Sequence, residues 1–319
     1  MTLRELVGSP ARLVTAFKLD RGVYRILLAT PSRMLSLVAK RLAAPVAYRN
    51  QLALECWLPA VGLAHVAPAL MGVAAEREGR TVWHLYEDLG DATVEDALAA
   101  PDVVEAAVRL VATIHARFAQ NPVLPECRLW GEDHGIAFYD SSVRDAISAV
   151  SAVVARSGKR TRCAAAERLL ARLERLAEER DERARALAEF GGSDTLLHGD
   201  LWLENMRADA ETQRVRLIDW DHVGPGSFSY DLSTLAFRVP AEHRAGALDL
   251  YRRAAAEQGM RLPADSELTA LFTTAECARL ANIAIWPALV ATEDGSRWAF
   301  DELAAIEEWL ERVQGRCAA

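Results

Sequence analysis

Short runs of alternating apolar and polar residues crowd the first ninety positions, and longer runs with a helical period fill the rest of the chain. Residues 23–28 (VYRILL) and 34–41 (MLSLVAKR) read as strands around a turn at Thr30-Pro31-Ser32-Arg33. Residues 67–75 and 81–86 read as two more strands. Between the pairs, residues 50–58 (NQLALECWL) carry a helical pattern. From Asp91 the period lengthens. Asp102 with Glu105 three residues later predicts a capping box that opens a helix. Val104, Val108, Val111, His115 and Phe118 then fall on one stripe, and a histidine on such a stripe reads as a core residue. Residues 163–190 predict one long amphipathic helix, or two, with Leu169, Leu170, Leu173 and Leu176 as the apolar side. Glu179/Arg183 and Asp181/Arg185 form i,i+4 pairs on the wet side, and Gly191-Gly192 is the stop. Residues 231–237, 242–258, 266–290 and 297–313 are all helical in pattern. A strand-rich lobe over 1–89 followed by a mainly helical lobe over 90–319 is the expected organisation, and 319 residues are enough to bury a core in each.

Chemistry concentrates in two short stretches. LLHGDLWLENM, residues 196–206, places Asn205 five positions after Asp200, with His198 and Gly199 just ahead of the aspartate. LIDWDHVG, residues 217–224, ends an apolar run on Asp219. Phosphoryl transfer from a nucleotide needs a carboxylate beside the acceptor hydroxyl and oxygen ligands for Mg²⁺ on the phosphates. The protein-kinase catalytic loop supplies the base and the first ligand at this Asp-x-x-x-x-Asn spacing, and a later aspartate at a strand end supplies the second. Residues 206–216 predict a strand, a polar turn (Asp209-Ala210-Glu211-Thr212-Gln213) and a return strand, a hairpin that brings Asp219 back beside Asn205.

HGDxxxxN followed by IDWD resembles the aminoglycoside phosphotransferase and choline kinase group of kinase-like enzymes. That resemblance implies an α+β, bilobal protein-kinase-like fold, with a small β-rich N-lobe and a large, mainly helical C-lobe. It implies ATP (or GTP) and Mg²⁺ as cofactors, Asp200 as the catalytic base, and Asn205 and Asp219 as the metal ligands. His198 and Gly199 would shape the loop, and Asp231 in SYDLSTL would be a buried structural aspartate. Asp221 either supports the metal from behind or stabilises its turn, and Trp202 and Trp220 are read as packing. Lys40, near a strand end, is expected on the α- and β-phosphates, with Glu55 of the next helix facing back to pair with it as in kinases. Glu87-Asp88-Leu89-Gly90 resembles the hinge of the family, where backbone groups rather than side chains hold the adenine. Where a glycine-rich phosphate loop is expected stands Lys18-Leu19-Asp20-Arg21-Gly22, with a single glycine.

Composition narrows the acceptor. Hydrophobic residues at 51% and charged residues at 26% describe an ordinary globular chain, and a net charge of −8 argues against nucleic acid and fits a cationic or neutral substrate. Cysteines 56, 127, 163, 277 and 317 are odd in number and lack CxxC pairing, so neither a disulfide framework nor a zinc site is expected. The charged N-terminus does not read as a signal peptide. Residues 281–291, broken by Asn282 and Pro287, are too short to cross a bilayer, so no membrane partner and a cytoplasmic location are expected. An aminoglycoside-like or other amino-bearing small alcohol is the expected acceptor, with Glu276, Glu293, Asp294 and Asp301 as acids to match its amines. A Ser/Thr hydroxyl of a peptide natural-product precursor and a nucleotide-binding pseudokinase scaffold are the alternatives. A dinuclear metallohydrolase built from His198, Asp200, Asp219, Asp221 and His222 would leave Asn205, Lys40 and Glu55 without a task.

Overall fold

The computed structural model describes residues 11–157, 163–209, 212 and 214–315. The charged N-terminus, part of the polar turn (210, 211 and 213) and Cys317, on which expectations fall above, lie outside them. The fold is of the α+β, kinase-like class, and its contacts divide it into two compact units. One gathers residues up to Glu132 with His198–Gly224 and Ala245–Gly259. The other gathers Asp133–Leu197, Pro225–Arg244 and the chain from Met260 on. The expected division at residue 89 is not the one these contacts make. Helices beyond it hold on to the first unit, where Arg117 donates to the Val61 carbonyl (2.8 Å) and the Trp57 indole to Glu126 (3.4 Å).

The first unit is built on a five-stranded antiparallel sheet of order β1-β2-β3-β5-β4, with β1 (Arg12–Asp20), β2 (Val23–Ala29), β3 (Met34–Ala43), β4 (Leu70–Ala75) and β5 (Thr81–Glu87). Where the phosphate loop was expected, Lys18, Leu19 and Asp20 are part of β1 instead. Asp20 pairs with Val23, and only Arg21 and Gly22 turn the chain, Gly22 at the φ of +76° that a tight hairpin needs. α1 (Ala44–Leu52) starts directly from β3, six residues before the expected helix, because Pro45 presets its first turn. It runs on through a π-turn at Ala53–Trp57 and a last turn at Leu58–Ala60. α2 (Pro101–Phe118) likewise opens on a proline after Ala100, with no side-chain cap, so the capping box expected at Asp102 does not form. Asp102 sits one position inside the first turn instead. His115 is a core residue, its Nδ1 2.7 Å from the Tyr251 hydroxyl. α3 (Leu124–Trp130) follows.

The second unit is mainly helical: α4 (Ile136–Ser157), α5 (Cys163–Glu178), α6 (Arg180–Phe190), β6 (Thr195–Leu197), and later α7 (Ser229–Arg238), α9 (Asp265–Glu293) and α10 (Arg297–Gly315). The short strands β7 (Met206–Ala208) and β8 (Val215–Leu217) belong to the first unit. β9 (Gly224–Gly226) and α8 (Ala241–Glu257) cross from one unit to the other. α9 is the central helix of the second unit, packing most extensively on α4 and also on α10, α7 and α6. Its buried face carries Leu268, Leu271, Phe272 and Leu280, together with Glu276 at 0% exposure. The Glu276 carboxylate is ion-paired to Arg238 (2.9 Å) and to Arg279, whose guanidinium lies over the Tyr230 ring. That corrects its reading as an acceptor-matching acid, since a fully buried carboxylate between two arginines is a packing element. Glu293, Asp294 and Asp301 are exposed, and Asp301 lies 3.6 Å from Arg297. Asp231 is buried in this unit, near enough to Arg279 to raise its pKa.

Candidate active site

Backbone register joins the two motif halves. Met206 on β7 pairs with Leu217 on β8, and one step further the Ile218 amide donates to the Asn205 carbonyl (2.9 Å). A hairpin with this register cannot close without setting Asp219 beside Asn205. Asp219 itself sits at φ +65°, a left-handed conformation that side chains other than glycine seldom adopt, and it turns the chain sharply off the strand. His198 ties in the first motif. Its Nε2 donates to the Ile218 carbonyl (2.8 Å), which leaves Nδ1 to accept the Asp200 amide (3.3 Å). Gly199, at φ +83°, permits the turn between them.

Both oxygens of Asp200 are held. The Trp202 indole donates to Oδ1, and the Asn205 amide nitrogen donates to Oδ2 (3.3 Å) and to the Asp200 carbonyl (2.9 Å). With its nitrogen committed this way, Asn205 has its oxygen left as a ligand. Asn205 Oδ1 and the Asp219 carboxylate are hard oxygen donors of the kind Mg²⁺ takes, one or two protein oxygens being completed by phosphate and water. The residues fit that ion. Among the described residues no group of three or more His, Cys, Asp and Glu side chains is placed to hold a metal, as a dinuclear hydrolase would need.

A cavity of about 300 Å³ opens over this pair. Val23, Val38, Leu54 and Ile218 give it apolar walls, and Leu89, Gly90, Lys40, Asn205 and Asp219 line it as well. Lys40 reaches it because alternate residues of a strand share a face, so Val38 and Lys40 point together. Its Nζ lies 2.6 Å from Asp219 Oδ1 and 2.8 Å from Asp221 Oδ2. Burial lowers the pKa of Lys40, but the two carboxylates outweigh it and the net shift is upward. Burial raises Asp219, and the attraction of Lys40 more than reverses that. Asp221 stays raised by burial and by Asp219.

A family model described as the phosphotransferase enzyme family matches residues 19–265. The chain belongs to that family. Solved structures agree in fold. An aminoglycoside-3'-phosphotransferase of type VIII is 21% identical, with 85% of this chain and 94% of that one covered at a TM-score of 0.51. The aminoglycoside phosphotransferase APH(3'')-Id from Streptomyces rimosus, solved with ADP and streptomycin, is 18% identical, with 79% and 90% covered at 0.52. A Plasmodium vivax ethanolamine kinase is 11% identical, with 97% and 84% covered at 0.61. No curated protein sequence gives a significant match.

In this phosphotransferase the expected Lys40–Glu55 pair does not form. Glu55 lies on the π-turn, whose extra residue shifts the helical phase, and its exposed carboxylate accepts from Gln51 (2.7 Å). The hinge acids also have tasks of their own. Glu87 takes a two-pronged bond from Arg216 (2.7 and 3.1 Å), and Asp88 is held by Arg25 (2.7 Å), by Ser36 and by the Gly90 amide (3.0 Å). Their carboxylates pin the 87–90 segment. Burial raises both pKa values, and these hydrogen bonds bring them below the ordinary range.

Sequence reasoning missed the groups behind Asp221. Arg49 donates to the Asp221 carbonyl (2.9 Å) and to Glu132 (2.7 Å), and Glu132 also meets the His222 ring (3.0 Å). Asn50, His84 and Tyr86 complete the set, and no local pattern marks residues that meet only in the fold. Burial lowers the pKa of His84 to about 4, so it is held neutral. Its stabilising contribution is whole above its ordinary value of 6.5 and is lost as pH falls through about 4. Denaturant unfolding should therefore lose roughly 2–3 kcal/mol more between pH 7 and pH 4.5 in the parent protein than in His84→Asn. Equal losses in the two proteins would remove His84 as a source of acid sensitivity.

Proposed function

We propose that this phosphotransferase moves the γ-phosphoryl group of ATP to a hydroxyl of a small, amino-bearing molecule of the aminoglycoside class. The observation that carries the reading is the convergence of Lys40, Asp219, Asn205 and Asp200 in and beside one cavity. The apolar slot by Leu89 suits a purine, with hinge backbone to hold its edge, and Lys40 suits the α- and β-phosphates. Asn205 and Asp219 would hold Mg²⁺, which when bound neutralises phosphate charge. Asp200, oriented by Trp202 and Asn205, accepts the proton of the acceptor hydroxyl as its oxygen bonds to the γ-phosphorus. The bond from that phosphorus to the β,γ-bridging oxygen breaks, and ADP leaves. Positioning and charge neutralisation supply most of the rate. The Streptomyces rimosus relative holds ADP with streptomycin, which supports a nucleotide and an amine-rich alcohol here, and a net charge of −8 favours a cationic acceptor.

Incubation with Mg²⁺, γ-labelled ATP and a panel of hydroxylated amines tests the reading. Label on an aminoglycoside hydroxyl is the expected result. Label on Ser/Thr peptides alone would move the acceptor to the peptide class, and nucleotide binding with no acceptor labelled would favour a scaffold.

A further inference from the structure

A buried hydrogen-bond chain runs from β5 to Lys40. Strand register sets His84 across from Lys40 and Tyr86 across from Val38, all on one face. His84 Nδ1 lies 2.8 Å from the Tyr86 hydroxyl, which lies 2.9 Å from Asn50 Oδ1. Asn50 Nδ2 lies 3.0 Å from Asp221 Oδ1, and the other oxygen of Asp221 meets Lys40 Nζ at 2.8 Å. Each donor along this chain has one possible direction. Asn50 turns its nitrogen to Asp221 and its oxygen to Tyr86. Tyr86 must then donate to Asn50, and its oxygen accepts from His84 Nδ1–H. His84 Nε2 is left as a buried acceptor with no partner among the described residues. Exposures of 0% for His84, 2% for Asn50 and 7% for Tyr86 keep water from competing for these bonds.

We propose that Asp221, oriented by the chain His84–Tyr86–Asn50, is the positioning residue that aims Lys40 at the nucleotide phosphates, in place of a helix-borne glutamate. The proposal rests on the reading that this cavity takes ATP. A lysine side chain is long and rotamer-rich, so its ammonium is useful only where a fixed partner holds it. Two carboxylates touch Lys40. Asp219 is the expected metal ligand, whereas Asp221 has Asn50 on one oxygen and Lys40 on the other, with Arg49 gripping its carbonyl. The residue at the helical position used for this task in kinases, Glu55, bonds to Gln51.

Calorimetric binding of ATP and of adenosine to the full chain in EDTA separates a phosphate-directed role from a structural or metal-borne one. Asp221→Asn should weaken ATP at least about tenfold and leave adenosine within twofold. Lys40→Met should do the same, and adding Asp221→Asn to it should cost nothing more, because both act through one contact. Tyr86→Phe, which removes one oxygen and keeps the fold testable should Asp221→Asn be unstable, should give about a threefold loss confined to ATP. Glu55→Gln should change neither ligand by more than twofold. Unchanged ATP affinity in Asp221→Asn, an equal loss of both ligands, additive losses in the double variant, or a Glu55→Gln loss as large as that of Asp221→Asn would each overturn the proposal. A parent protein that bound neither ligand would overturn the nucleotide reading itself and this proposal with it.

Discussion

Asp200→Asn is expected to lower kcat by about 10²–10⁴-fold, the usual worth of a positioned general base, while ATP affinity stays within about twofold. The substitution keeps the shape of the side chain and removes its ability to take a proton at neutral pH. The supports of the loop survive it. His198 still spans from the Asp200 amide to the Ile218 carbonyl, and Asn205 still donates to the Asp200 carbonyl at 2.9 Å. Lys40 and Asp219 are not in contact with the altered atoms and keep their own ion pair. Steady-state transfer to the best acceptor from the panel, with calorimetric ATP binding beside it, reads the two effects separately. A variant turning over at a tenth of the parental rate or faster would take the role of base away from Asp200. A matched fall in ATP affinity would instead make it a support of the nucleotide.

The same loop shows what a sequence can and cannot reveal. Asp200, Asn205 and Asp219 were legible because their geometry is local. Five positions along one loop, then a two-stranded hairpin, bring them together with little help from the rest of the chain. Lys40 was legible for a related reason: strand alternation alone fixes which face it shares with Val38. Its partner was not. The choice between Glu55 and Asp221 depends on one extra residue in a π-turn, which no apolar period announces, and on Asn50, which matters only through contacts made across the fold. Helix starts were read poorly, and α3 and α4 were not read at all, although α4 is the helix on which α9 packs most. α1 and α2 both carry a proline in the first turn, ahead of the expected signal. The end of β1 was read as a loop because Lys18, Leu19 and Asp20 share a stretch with the turn glycine Gly22, and only pairing with β2 makes them a strand.

Glu276 is where the same blindness to tertiary contacts predicts the largest loss of stability. On sequence alone it passes for an acid facing an amine-bearing substrate, yet at 0% exposure it meets Arg238 and Arg279. Both arginines are themselves largely buried, and Arg279 also donates to the Ser233 hydroxyl (3.1 Å) and the Tyr230 carbonyl (2.7 Å). Removing the carboxylate takes away the anion that two buried guanidinium charges share and leaves Asp231 as the remaining acid near Arg279, a change that costs about 3–5 kcal/mol. Glu276→Ala should therefore lower Tm by roughly 10 °C, at about 2–4 °C per kcal/mol for a large domain. The expected loss comes mainly from the charges left behind, and a second variant isolates it. Replacing Glu276, Arg238 and Arg279 together by methionines removes these charges along with their partner, and should restore part of the lost Tm, because apolar replacement of a buried ion cluster is often near neutral and only Asp231 then loses a nearby cation. Below its own melting range, Glu276→Ala should keep the parental KM for the acceptor. A Tm within 2 °C of the parent, or an acceptor KM raised tenfold at a temperature where the variant is folded, would return Glu276 to the list of substrate-facing acids.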